Sequence, residues 1–161
     1  MAKKKGGSLF IHVILLLAGL GVLAASLFAP WAKASMLGFI PKVIRPFDNQ
    51  SFQLIMLIPP FFIGMILITG IYSFFGPKRF LPGFIILLLG AAMDALGIQL
   101  WMKIEANDVS FLGIDPLKIA EVKPDIGILL IIIGGAIIFL DGFIYLVTPA
   151  GGGKGKSKSK K

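Results

Sequence analysis

The chain has no cysteine and a single histidine, His12. Without cysteine it can form no disulfide framework, thiolate zinc site, iron–sulfur centre or dithiol redox pair. One histidine is too few for a bis-histidine haem held by this chain alone. No nucleophile elbow, HExxH metal motif or phosphate-binding loop occurs in the sequence. We therefore expect a protein that is not an enzyme and that carries no metal or cofactor.

Charged residues are also scarce, at 15% of 161 residues, whereas 57% are hydrophobic. Soluble domains contain about 45–50% apolar residues. Four uninterrupted apolar runs each reach the roughly 20 residues that a helix needs to cross a bilayer. Because these runs do not alternate, membrane β-strands are disfavoured. The sequence predicts an all-α membrane protein, a bundle of four transmembrane helices at residues 9–29, 52–75, 80–102 and 126–147.

The distribution of charge predicts the orientation of this bundle. Both termini and the short link between the second and third spans contain Lys and Arg but no acid, while the charges of the two longer loops balance. By the positive-inside rule both termini are cytoplasmic, in a plasma or inner membrane. The net charge of +8 then reflects topology and attraction to anionic lipid at the Lys-rich termini rather than nucleic-acid binding. The predicted segments are a basic N-terminus (1–8), a transmembrane domain (9–148) with outer loops 30–51 and 103–125, and a flexible Gly/Lys/Ser tail (149–161).

Aromatic residues and the outer loops refine this map. Trp31 and Trp101 lie at the outer ends of predicted spans and Tyr72 and Tyr145 at the inner ends, as expected for interfacial belts. Both outer loops are too apolar for free linkers. We expect short amphipathic segments or paired strands that cap the bundle, either packed on its own helix ends or offered to a partner.

An internal repeat is a further hypothesis. The pattern S-x-L-G-x-x-P occurs at Ser35–Pro41 and again at Ser110–Pro116, at corresponding places in the two halves of the chain. Apolar matches between the flanking helices carry little weight, because membrane helices resemble one another. If the repeat is real, the fold is a tandem of two helix-loop-helix halves in the same orientation.

Ionisable residues within the spans are the sharpest candidates for function, because a charge in the bilayer core is costly. Asp94 lies in the outer half of the third span and Asp141 near the inner end of the fourth, so their depths differ by about 10 Å. His12 is close to the level of Asp141. The two can form either a proton-sensitive inner gate or an interhelical hydrogen bond that sets the register of the bundle.

Small residues predict where helices approach closely. Asp94 shares a face with Gly90 and Gly97, which invites contact with the first helix or with another subunit. Pro59 and Pro60 either break the second helix or begin it. The glycines expected at helix contacts are Gly21, Gly90, Gly97, Gly134 and Gly135.

Three functions remain open from the sequence. The leading hypothesis is a non-catalytic accessory or scaffolding subunit of a larger membrane complex, whose partners are the bilayer and other integral membrane subunits or further copies of itself. The alternative is a small oligomeric proton- or cation-coupled transporter using Asp94 and Asp141. The layout is similar to that of small four-helix multidrug exporters, but those carry a glutamate in the first helix and this chain has no acid there, so no residue role is transferred. The third hypothesis is a holder of a cofactor or pigment through His12 alone.

Overall fold

The computed structural model of this protein describes residues 6–35, 42–46, 57–75, 80–106 and 121–148. It is mostly helical, and each described helix falls within or overlaps one predicted apolar run. Three of these helices are long and apolar enough to cross a membrane, and the second is shorter. The helices are α1 (Gly6–Phe28), α2 (Ile58–Phe75), α3 (Phe80–Glu105) and α4 (Ile126–Val147).

The outward surface of these helices is apolar, as expected of a protein embedded in lipid. Large side chains that would be buried in a soluble protein are more than three-fifths exposed, among them Leu17, Phe61 and Phe80. A soluble protein rarely leaves so much contiguous apolar surface in water. Together with the hydropathy of the three long helices, this exposure identifies the chain as a membrane protein.

The second helix begins later than the sequence pattern suggested. It starts at Ile58 rather than residue 52, and Pro59 and Pro60 occupy its first turn. Proline suits that place because a helix has no acceptor for its first N–H groups and the ring already holds a helical φ. The prolines therefore lie in the first turn of α2, and residues 52–56 of the predicted span fall outside the described residues. With 18 residues, α2 is about 27 Å long, slightly less than the roughly 30 Å hydrocarbon core of a bilayer.

Helix α4 is the centre of the packing, because it contacts both α1 and α3 extensively, while α2 completes the bundle beside them. Ile131 and Ile138 of α4 are fully buried, as are Leu23 of α1, Ile66 of α2 and Met93 of α3. The apolar core therefore lies along the inward face of α4. This arrangement brings the N-terminal part of α1 and the C-terminal part of α4 to the same end of the bundle.

A small antiparallel sheet covers the opposite end. It is formed by β1 (Ala32–Ser35), β2 (Lys42–Ile44) and β3 (Glu121–Pro124) in the order β2-β1-β3. In the central strand, Ala32 pairs with Ile44 on one side and with Pro124 on the other. Of the two arrangements expected for the loops, the described part shows paired strands. The sheet joins the segment after α1 to the segment before α4.

Trp31 fastens this sheet to the bundle. Its indole N–H donates to the carbonyl of Ser26 at 2.9 Å, its backbone N–H donates to Ile44, and its carbonyl accepts from Asp125. The side chain is fully buried. Trp31 therefore lies at the predicted end of the bundle, but its indole ring is buried and its N–H is hydrogen-bonded inside the protein, so it is not exposed at an interfacial belt.

Several predicted features fall outside the described residues. These are the two basic termini apart from the first residues of α1, and the S-x-L-G-x-x-P segments apart from Ser35. The tandem repeat therefore stays a hypothesis.

Candidate functional site

Four polar or aromatic side chains meet inside the end of the bundle that lies away from the sheet. They are His12 of α1, Ser73 of α2, and Asp141 and Tyr145 of α4, and none is more than 6% exposed. His12 is about two turns from the start of α1, and the other three lie within two turns of the ends of their helices. The site therefore lies at one level, where α1 begins and α2 and α4 end.

His12 is hydrogen-bonded at both ring nitrogens. Nδ1 lies 2.8 Å from Oδ1 of Asp141, and Nε2 lies 2.9 Å from Oγ of Ser73. The Ser73 hydroxyl donates to the carbonyl of Gly70 at 2.6 Å. Because a hydroxyl has one proton, Nε2 must carry its own and donate it to Ser73. The proton between Nδ1 and Oδ1 belongs to the His12–Asp141 pair, as imidazolium and carboxylate or as two neutral groups.

Tyr145 closes the cluster on another side. Its ring centroid is 4.3 Å from that of His12, and its hydroxyl donates to the backbone carbonyl of Ser73 at 3.0 Å. That carbonyl belongs to the last turn of α2, where no intrahelical N–H remains to bond it. In lipid such a group needs a protein partner. Tyr145 therefore caps α2 while packing against the imidazole, although its position in the sequence suggested an interfacial belt.

Asp141 is the one member of the cluster with an unused polar atom. Its Oδ2 is buried and accepts no hydrogen bond from the described residues, while Oδ1 faces His12. A buried carboxylate without its partner is strongly disfavoured. The stability of this end of the bundle therefore depends on the proximity of His12.

Asp94 is not part of this cluster. It lies on α3 against α4, where a Cβ on Gly135 would come within 2.7 Å of Oδ1 of Asp94. This Oδ1 is buried and has no hydrogen-bond partner among the described residues, although the side chain as a whole is half-buried. The structure thus separates the two intramembrane acids, in agreement with their different predicted depths.

Glycines determine how closely α3 approaches α4. A Cβ on Gly90 would lie 2.4 Å from the backbone nitrogen of Phe139, and one on Gly142 would lie 2.5 Å from that of Leu87. Gly97 and Gly135 have similarly short approaches across the same contact, whereas Gly134 faces Leu23 of α1. The face that carries Asp94 is therefore packed against α4 of its own chain, not against α1.

Gly21 does not join these contacts. It is exposed, and no atom lies within 4 Å of where its Cβ would be. Within this chain the side of α1 that meets α4 runs through Gly19, whose Cβ would touch Ile138, so Gly21 takes part in none of the contacts between the described helices. The spacing of glycines in the sequence could have predicted the α3 side of the α3–α4 contact, since Gly83, Gly90 and Gly97 recur every seven residues. A strict seven-residue repeat is typical of a seam between supercoiled helices.

Ser73 was not predicted from the sequence as a residue of this site. The available signal is weak: a small polar residue one turn from the end of an apolar helix, at the depth of His12. Such residues often bond only within their own helix, as Thr69 does with Met65. Only the position of α2 beside α1 shows that Ser73 bonds to His12.

Ser73, His12 and Asp141 are hydrogen-bonded in the same succession as the triad of serine hydrolases, but the geometry does not present a nucleophile. The Ser73 hydroxyl is only 6% exposed, and it donates its hydrogen bond to the carbonyl of Gly70 and accepts one from His12, whereas a triad serine donates to its histidine. In the described part of the chain no three His, Cys, Asp or Glu residues come together as a metal site. No family model matches this chain, and no curated protein is significantly similar to it.

Proposed function

We propose that this protein is a non-catalytic accessory or scaffolding subunit of a larger integral membrane complex. The observation that supports this proposal best is the buried hydrogen-bond network around His12. Both ring nitrogens of His12 are bonded within the chain, to Asp141 and to Ser73, and Ser73 in turn donates to the backbone carbonyl of Gly70. Oδ2 of Asp141 is the polar atom of this network that has no partner among the described residues. Buried hydrogen bonds between helices fix the register of a bundle. That is what a structural subunit requires.

The proposed topology has four membrane-spanning helices, with both termini on the cytoplasmic side of a plasma or inner membrane. The contact between His12 and Asp141 supports it, because it brings the beginning of α1 and the end of α4 to one face. The basic residues of the chain are concentrated in the segments that leave this face. The sheet then lies on the outer side, where it can offer a docking surface.

Native mass spectrometry of the protein, extracted in mild detergent from its own membrane, tests the proposal. We expect fixed stoichiometry with at least one other membrane subunit. A homo-oligomer or monomer without other subunits would contradict an accessory role. An absorption spectrum of the same sample tests for a pigment, which we do not expect because binding at His12 would have to break one of its two hydrogen bonds.

Proton- or cation-coupled transport is the second candidate, and one observation favours it. Asp94 and Asp141 each have a buried carboxyl oxygen without a partner among the described residues. Such groups bind and release protons in membrane transporters. If this function is correct, Asp94→Asn and Asp141→Asn abolish proton flux in vesicles while the protein still assembles. Under the accessory function, wild-type vesicles show no flux.

A further inference from the structure

The flank of the α3–α4 contact carries an apolar groove, and the Asp94 carboxyl lies one turn of α3 beyond its lining. Its lining consists of Ile98 and Trp101 of α3 with Leu129 and Ile132 of α4, around a cavity of about 230 Å³. Asp94 lies one turn from Ile98 on the same face of α3, at spacings of four and seven residues from Ile98 and Trp101. On α3 the lining therefore begins one turn from Asp94 and ends about 10 Å from it, towards the sheet.

The Asp94 carboxyl beside this groove lacks a counter-charge. Among the described residues Asp94 takes part in no ion pair, and its buried Oδ1 has no hydrogen-bond partner of good geometry, although the backbone of Ala136 donates towards the carboxyl. Asp94 as a whole is half-buried at the edge of the contact with α4. As a carboxylate it therefore has no basic partner within the described bundle.

Resting on the accessory function proposed above, we infer that this groove docks a membrane-spanning helix of another subunit that carries an Arg or Lys at the depth of Asp94. An apolar side chain of that helix, one to two turns away, fills the cavity between Ile98 and Leu129. Charge complementarity supports this occupant, because an intramembrane acid is stabilised most effectively by a basic partner. The apolar lining of the groove supplies the rest of the surface that this helix would contact.

A second copy of this chain does not fit the same requirement. Helices α1, α2 and α4 contain no Lys or Arg, and the one basic residue of α3 is Lys103 near its end. Lys103 is nine residues from Asp94, or about 14 Å along the helix. A lipid chain would fill the cavity but would leave the carboxyl unpaired. An apolar helix that carries a basic residue is the partner that can both fill the cavity and pair with the Asp94 carboxylate.

Site-directed photocrosslinking in native membranes tests this inference. A benzoylphenylalanine replaces Trp101, the residue of the lining that is nearest to it in size, and the matched control places it at Ile68, which is 66% exposed on α2. After irradiation the crosslinked peptides are sequenced. We expect the probe at position 101, and not the probe at position 68, to crosslink to one segment of another protein, an apolar helix with an Arg or Lys. The variant Asp94→Asn should lower that yield about tenfold, as expected for loss of a strong intramembrane charge pair.

Leu129→Trp is the second variant, because it fills the cavity and leaves Asp94 intact. It should lower the same crosslink even if Asp94→Asn folds poorly. Crosslinks only to lipid, only to this chain, or to a segment without a basic residue would each overturn the inference, as would an unchanged yield in a folded Asp94→Asn variant. If native mass spectrometry shows a subunit in fixed stoichiometry but the probe at position 101 does not crosslink to it, the inference fails and the accessory function stands. If no subunit copurifies, the accessory function itself fails.

Discussion

Replacement of Gly90 by alanine tests the close approach of α3 and α4 most directly. The added Cβ would lie 2.4 Å from the backbone nitrogen of Phe139 and 2.7 Å from its Cα. Carbon contacts are normally about 3.5–4.0 Å, so the helices must separate by about 1 Å. These atoms belong to the backbone of α4, and therefore no side-chain rotation can relieve the clash.

The separation would also loosen the neighbouring contacts at Gly135 and Gly142, which meet α3 across the same seam. Overpacking of a tight core costs about 1–3 kcal/mol, and we expect Gly90→Ala to lie at the upper end of this range. Reversible unfolding in mixed micelles, followed by circular dichroism as SDS is titrated, measures the free energy of unfolding.

Gly21→Ala is the matched control, because it makes the same substitution in an apolar helix with no atom within 4 Å of the new Cβ. Alanine restricts the unfolded chain and favours the helix, so this control should be neutral or stabilising by up to about 1 kcal/mol. If Gly90→Ala and Gly21→Ala unfolded at the same SDS fraction, the glycine seam between α3 and α4 would be refuted.

Three further predictions concern the polar cluster and the sheet. Ser73→Ala leaves the Nε2 proton of His12 without its acceptor and should destabilise the protein by about 1–3 kcal/mol in the same unfolding assay. Thr69→Val should destabilise it less, because the Thr69 hydroxyl bonds only within α2. In a double-mutant cycle, His12→Leu and Asp141→Leu should show a coupling of about 0.6–1.7 kcal/mol, and additive effects would contradict the 2.8 Å contact. Trp31→Phe removes the indole donor to a buried carbonyl and should lower the unfolding temperature, and an unchanged temperature would contradict its role as the anchor of the sheet.

The helical part of this architecture follows directly from composition. Long apolar runs can satisfy their backbone groups in lipid only by forming helices, which makes the ends of α1, α3 and α4 predictable to within three residues. The apolar run of residues 52–75 was less informative about where α2 begins, because Pro59 and Pro60 are compatible with either a kink in a helix or the start of one. The structure places them in the first turn.

The polar site was predictable only in part. Helix ends and rise per residue are sufficient to bring His12 and Asp141 to one level, but they cannot show which helices are neighbours. Ser73 and Tyr145 join the site because α2 and α4 pack beside α1 with these residues facing inward. The same limitation explains Gly21, since small residues on an apolar helix do not reveal which side faces the core.

The sequence by itself therefore determined that this is a helical membrane protein, where its long helices lie, and that its intramembrane acids occupy different depths. These properties depend on hydrophobicity and on distance along one chain. Tertiary structure alone decided that α4 packs between α1 and α3, that Trp31 is an internal anchor, and that one acid is paired with His12 while Asp94 has no counter-charge in the described bundle. Those outcomes depend on which faces of separate helices meet, and side-chain packing across helices selects that arrangement.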